Sequence, residues 1–162
     1  MSVELILEDP RWRDVPLDLI GDQVAGILSE QLNLPPLTVA ILACDDVRIA
    51  ALNAEFRGKS SPTNVLSWPS DDLAGGVPGK PPHPPTDPEI GDIAIAFDTC
   101  AREAAEQGKT LTDHTTHLIV HGILHLLGYD HIDDADGDLM EATETAILLR
   151  LGVPDPYGMD DA

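Results

Sequence analysis

Five of the six histidines fall between positions 114 and 131, and three of them are spaced to hold a metal ion. In the run His121-Gly122-Ile123-Leu124-His125-Leu126-Leu127-Gly128-Tyr129-Asp130-His131, His121 and His125 are four positions apart. On a helix that spacing puts both rings on one face with Cβ atoms about 5–6 Å apart, close enough to share a zinc ion at about 2.0–2.1 Å. Gly128 follows three positions after His125, where a left-handed residue ends a helix and turns the chain back. His131 then arrives over the same face as a third ligand. Three imidazoles leave the fourth tetrahedral position open, the pattern of a catalytic rather than a closed structural zinc. His114 and His117 share the face, and their ordinary reading is a solvated or hydrogen-bonded histidine, with contact to a ligand or substrate as the alternative. Asp130 reads first as a turn residue and second as a partner orienting a histidine.

The segment matches the metzincin peptidase pattern H-E-x-x-H-x-x-G-x-x-H at every fixed position except one, where Gly122 replaces the glutamate. A peptidase needs that carboxylate to deprotonate water and protonate the leaving amine, and glycine does neither. A Lewis acid without a base suits phosphodiester cleavage, because a metal stabilises charge on phosphoryl oxygens directly. A phosphate substrate calls for a cation opposite the metal. Arg57 and Lys59 stand in a turn between a helix and a strand, and an arginine fork holds two phosphate oxygens while staying charged. Taken alone, such a pair is more often a solvated loop.

The remaining chemistry is excluded by composition. The two cysteines, Cys44 and Cys100, form no Cys-x-x-Cys pair and read as small buried hydrophobes. Nine Lys+Arg against 29 Asp+Glu give a net charge of −20, which excludes a generic basic nucleic-acid binder and disfavours an anionic membrane surface. No DNA partner and no membrane are expected. The first residues lack the basic stretch and apolar core of a signal peptide, and no apolar run approaches the ~18 residues of a membrane span. A cytoplasmic protein is expected.

The elements that must position these residues alternate along the chain. Val3, Leu5 and Leu7 suggest an edge-like strand, and apolar residues at three- and four-residue steps predict a helix over 16–32. Residues 38–44 form an almost wholly apolar run suited to a central strand. Asp45 or Asp46 caps a helix reaching Phe56, and residues 64–68 read as a strand. Between Pro69 and Pro88 lie seven of the fourteen prolines, so that segment is a loose excursion rather than a regular element. Strand character returns at 90–97. Asp98 or Thr99 caps a helix through Gln107, and helices are expected at 111–127 and 134–151. The fold class is α/β (α+β): a mixed four-stranded sheet covered mainly by helices, one domain over residues 1–162. Strand order is not readable.

The segments LNAEFRGKSSPTNVLSW (52–68), IGDIAI (90–95) and HLIVHGILHLLGYDH (117–131), with MEATET (140–145) and the closing Asp155-Pro156-Tyr157, resemble the bacterial YbeY family of endoribonucleases. The resemblance spans about residues 38–158, and the 69–88 excursion is longer than is usual among relatives. It implies a zinc-dependent, single-strand-directed endoribonuclease acting in ribosomal RNA maturation beside the small ribosomal subunit. It places the metal ligands at His121, His125 and His131 and the phosphate-handling arginine at Arg57. The nucleophile stays open between metal-activated water and the ribose 2′-hydroxyl. Two other readings remain: a non-catalytic ribosome assembly factor with a stabilising zinc, and a zinc peptidase whose base comes from Asp92 or Glu103.

Overall fold

The structure, a computed structural model, describes residues 2–69, 89–129 and 134–154. The histidine pair and Gly128 lie within these residues, whereas His83, Asp130, His131 and the 70–88 excursion lie outside them. In chain order the elements are β1 (Ser2–Leu7), a 3-10 turn (Pro10–Asp14), α1 (Leu17–Gln31), β2 (Thr38–Cys44), α2 (Asp46–Arg57), β3 (Val65–Pro69), β4 (Glu89–Ala96), α3 (Phe97–Glu106), α4 (Leu111–Leu126) and α5 (Asp134–Arg150).

The strands form one mixed sheet in the order β1-β2-β4-β3. β1 runs parallel to β2 and β2 parallel to β4, with Ile41 paired to Ile93, while β3 lies antiparallel on the outer edge of β4. The near-continuous apolar runs of β2 and β4 belong to the two inner strands, as expected for strands covered on both faces. Side chains alternate between those faces. Val39, Ile41, Ala43, Ile93 and Ile95 join the main core beneath α1 and α4, and Cys44, Leu66, Ala94 and Ala96 form a smaller core with Ile49 of α2.

α4 is the central helix, in contact with β3, β4, α1, α3 and α5. Leu118, Ile119, Val120, Ile123, Leu124 and Leu126 are buried on it, each fully buried side chain of this type being worth about 1.5–3 kcal/mol over an exposed one. Thr110 caps its start, accepting from Asp113 N at 3.1 Å. At its end Gly128 has φ +97°, Gly128 N donates to His125 O, and Tyr129 N donates to Leu124 O, both at 3.0 Å. This paired arrangement requires a residue that tolerates the left-handed conformation, so the turn expected after His125 is present.

One capping expectation needs correction. α3 begins at Phe97 with Ala96 in the cap position and no side-chain cap, because Asp98 and Thr99 are engaged over long range. Arg11 Nη1 donates to Asp98 Oδ1 at 2.7 Å, and Thr99 Oγ1 donates to Asp46 Oδ2 at 2.8 Å. That contact also takes Asp46 away from capping α2, a role filled by Asp45, which accepts from Arg48 N at 2.8 Å. Both cysteines are buried thiols, and burial pushes the Cys44 thiol up to about 12.

Candidate metal centre

Four histidines run along one face of α4 at positions 114, 117, 121 and 125, the offsets that keep side chains on one side of a helix. The last two meet directly. His121 Nε2 and His125 Nε2 are 3.0 Å apart, and their ring centroids are 4.5 Å apart with planes crossed at 80°.

A carboxylate from α5 stands behind this pair. Glu144 Oε1 lies 3.1 Å from His121 Nδ1 and its Oε2 lies 2.8 Å from His117 Nε2. Glu144 is 0% exposed. Burial by itself would raise its pKa, but hydrogen bonds from His117 and His121 outweigh burial and hold the carboxyl down to about 2. An ionised carboxylate only accepts, so the ring nitrogens facing it carry hydrogens. The lone pair of His121 is thereby placed on Nε2, the atom turned toward His125.

The donor set fits zinc. Two nitrogens at about 2.0–2.1 Å from one tetrahedral zinc lie about 3.3–3.4 Å apart, so the observed 3.0 Å needs only a few tenths of an ångström of opening. Imidazole pairs backed by a carboxylate are the usual donors for such an ion. Among the described residues no third His, Cys, Asp or Glu completes a metal-binding group. The expected third ligand, His131, lies outside them.

The pair opens on a cleft of about 260 Å³ whose lining includes Arg57, Asn64, Ser67, His117, His121 and His125. Arg57 is exposed at the end of α2, where a cation is favoured by the helix dipole. Its neighbour Phe56 turns the other way and packs edge-on against Trp68 at 5.4 Å between centroids. Strand alternation does the same on β3: Val65 and Ser67 face the cleft, while Trp68 faces a separate groove with Phe56 and Asp92. Lys59 is exposed and is not part of the cleft lining.

Neither carboxylate considered as a peptidase base serves this cleft. Asp92 lines the groove beside Trp68. Glu103 accepts from Asn64 Nδ2 at 3.0 Å and sits 2.9 Å from His114 Nε2. Gly122 sits where α4 approaches β4 closely: a Cβ there would lie 3.0 Å from Ile93 Cδ1, so any larger residue makes Ile93 give way by a few tenths of an ångström. His114 is buried, with its Nε2 on Glu103 and its Nδ1 without a hydrogen-bond partner among the described residues, while His117 joins the cleft and the Glu144 bridge. Glu144 itself escaped the sequence reading. Its signals were its place in the segment 140–145 that carries the family resemblance and the spacing Met140, Glu144, Ile147, Leu148, which sets an acid in the apolar stripe of α5.

The sequence model of the family described as Endoribonuclease YbeY matches residues 13–152. Proteins named Endoribonuclease YbeY are similar along nearly the whole chain. That of Cereibacter sphaeroides is 57% identical, covering 96% of this chain and 98% of its own length. That of Paracoccus denitrificans is 55% identical, covering 96% and 89%, and that of Ruegeria pomeroyi is 55% identical, covering 99% and 100%. The solution structure of a Thermotoga maritima protein superposes with a TM-score of 0.58 at 19% identity, covering 97% of this chain and 99% of that one, which establishes likeness of fold.

Proposed function

This chain belongs to the YbeY family of endoribonucleases, and we propose that it cleaves single-stranded ribosomal RNA with the help of a zinc ion held by His121, His125 and His131. Its substrate class is RNA and its reaction is cleavage of an internal phosphodiester bond. The observation that carries the site assignment is the pair of facing Nε2 atoms, 3.0 Å apart, in one cleft with Arg57.

The ion, when bound, supplies Lewis-acid stabilisation of charge on the phosphoryl group. The rest of the task falls to the protein. The Arg57 guanidinium holds non-bridging phosphate oxygens in a planar fork and gains strength as negative charge builds on them. The Ser67 side chain lines the same wall and offers a hydroxyl to the sugar-phosphate backbone. Asn64 shapes that wall: its amide donates to Glu103 and its carbonyl accepts from Val65 N at 2.7 Å. A cleft of about 260 Å³ falls just below the usual range of about 300–1,000 Å³ for ligand pockets, and it suits one backbone unit of a single strand rather than a duplex.

The net charge of −20 opposes tight binding of free RNA, because few phosphates can be neutralised. Targeting therefore comes from the small ribosomal subunit or one of its proteins, with the chain acting in the cytoplasm as a single domain. No helix among the described residues is long and apolar enough to cross a membrane.

The test compares wild type, His125→Ala and Arg57→Ala on one single-stranded RNA, with zinc quantified in each. Arg57→Ala keeps its zinc and loses about 10²–10³-fold in cleavage rate, the range for removing one charge-stabilising donor. His125→Ala loses both metal and cleavage. Normal cleavage by Arg57→Ala removes it from the mechanism. Normal cleavage by both variants assigns the activity to a contaminant and leaves an assembly factor.

A further inference from the structure

We propose that Glu144 is a positioning residue for the metal centre, fixing the tautomer and ring orientation of His121 from a neighbouring helix and tying His117 into the same unit. The inference rests on the metal-centre reading above and adds to it a residue outside the ligand set.

Three observations carry it. First, Glu144 occupies a position that packing alone would give to a hydrophobe. Met140, Ile147 and Leu148 around it on α5 are 1%, 0% and 0% exposed, and Glu144 is 0% exposed among them. Replacing a buried ionic group with apolar side chains of similar volume is often neutral or stabilising, so stability does not account for a carboxylate there. Second, the bridge is directional: one oxygen faces His121 Nδ1 and the other His117 Nε2. A carboxylate can accept from both rings at once. A glutamine offers one acceptor and one donor, so it must turn its amide N–H₂ toward one ring and force that ring to present a lone pair. Third, the held atom matters. With hydrogen fixed on Nδ1, His121 keeps its lone pair on Nε2, 3.0 Å from His125 Nε2. A further histidine–carboxylate contact of α4 among the described residues, His114 with Glu103, has no such consequence, since neither residue lines the cleft.

The experiment measures zinc affinity by competition with a chelating dye for wild type, Glu144→Gln and Glu144→Met, together with the unfolding midpoint of each zinc-free protein. A positioning role lowers zinc affinity about 10–100-fold, the range for losing a carboxylate behind a ligand histidine, with the zinc-free midpoint unchanged or, for Glu144→Met, raised. A purely structural role gives the opposite: a lowered midpoint and unchanged zinc affinity in the folded fraction, which overturns the proposal. If wild type itself binds no zinc, the metal-centre reading fails and this inference with it. Should the variants not fold, two-bond 15N–1H NMR on zinc-free wild type at pH 8 still decides. The Nδ1–H tautomer at His121 supports the proposal, and the Nε2–H tautomer overturns it.

Discussion

Substituting Gly122 with alanine tests whether close approach of α4 to the sheet, rather than chemistry, sets that position. The added Cβ would sit 3.0 Å from Ile93 Cδ1, 3.4 Å from Cγ1 and 3.6 Å from Cγ2, against a side chain that is 0% exposed. Overpacking a core by one methyl costs about 1–3 kcal/mol. Removing a glycine from a helix interior returns about 0.8–1.0 kcal/mol. With crowding taken at its midpoint, Gly122→Ala destabilises by about 1 kcal/mol. The contact at 3.0 Å belongs to Cδ1 alone, so Ile93→Val removes it. When Gly122→Ala is made in the Ile93→Val protein the sign reverses: the alanine becomes neutral or stabilising by up to about 1 kcal/mol, although Ile93→Val by itself loses about 0.5–1.5 kcal/mol. Urea unfolding of the four proteins in chelator, with the slope checked for constancy, measures the coupling. Equal effects of Gly122→Ala in the two backgrounds would refute the packing argument and reopen the question of why this position lacks a glutamate.

Two other predictions concern the frame around the site. Arg11 holds both Asp9 and Asp98 below the ordinary aspartate range by hydrogen bonds, and it lies 4.5 Å from the centre of the Phe97 ring. A carboxyl whose pKa falls on folding stabilises the fold above its unfolded value near 3.8, and that stability disappears as pH falls through the depressed value. Arg11→Gln is therefore expected to lower the thermal midpoint at pH 6–7, with the gap from wild type narrowing below about pH 4; a gap independent of pH would contradict the electrostatic account. Gly128→Ala strains a residue at φ +97° and should lose about 1–2 kcal/mol in urea unfolding, with Gly128→Asn losing less. A loss too small to measure would mean that the turn does not depend on its left-handed residue.

Apolar residues at three- and four-residue steps made α1 legible, and near-continuous apolar runs marked the two inner strands, which are covered on both faces. The same held for His121 and His125, whose spacing needs only the local geometry of a helix, and for Gly128, whose role is fixed by the turn it closes. What stayed hidden depends on contacts distant in sequence. The start of α3 falls before the cap expected at Asp98 or Thr99, since both resemble caps but serve Arg11 and Asp46, 87 and 53 residues away. The insertion of β4 between β2 and β3 is likewise set by tertiary pairing. Glu144 sits in a segment with Asp136, Asp138 and Glu141, where one more acid looks like a solvated face. Its burial becomes visible only when α5 is laid against α4.

The central claim is that imidazoles from the end of α4 and from His131 enclose one zinc with a position left open. X-ray absorption at the zinc edge of the stoichiometrically loaded protein reads that shell directly. Three imidazole nitrogens and one further light atom at about 2.0–2.2 Å are expected. Sulfur at about 2.3 Å, or a shell unchanged in His125→Ala, would contradict it.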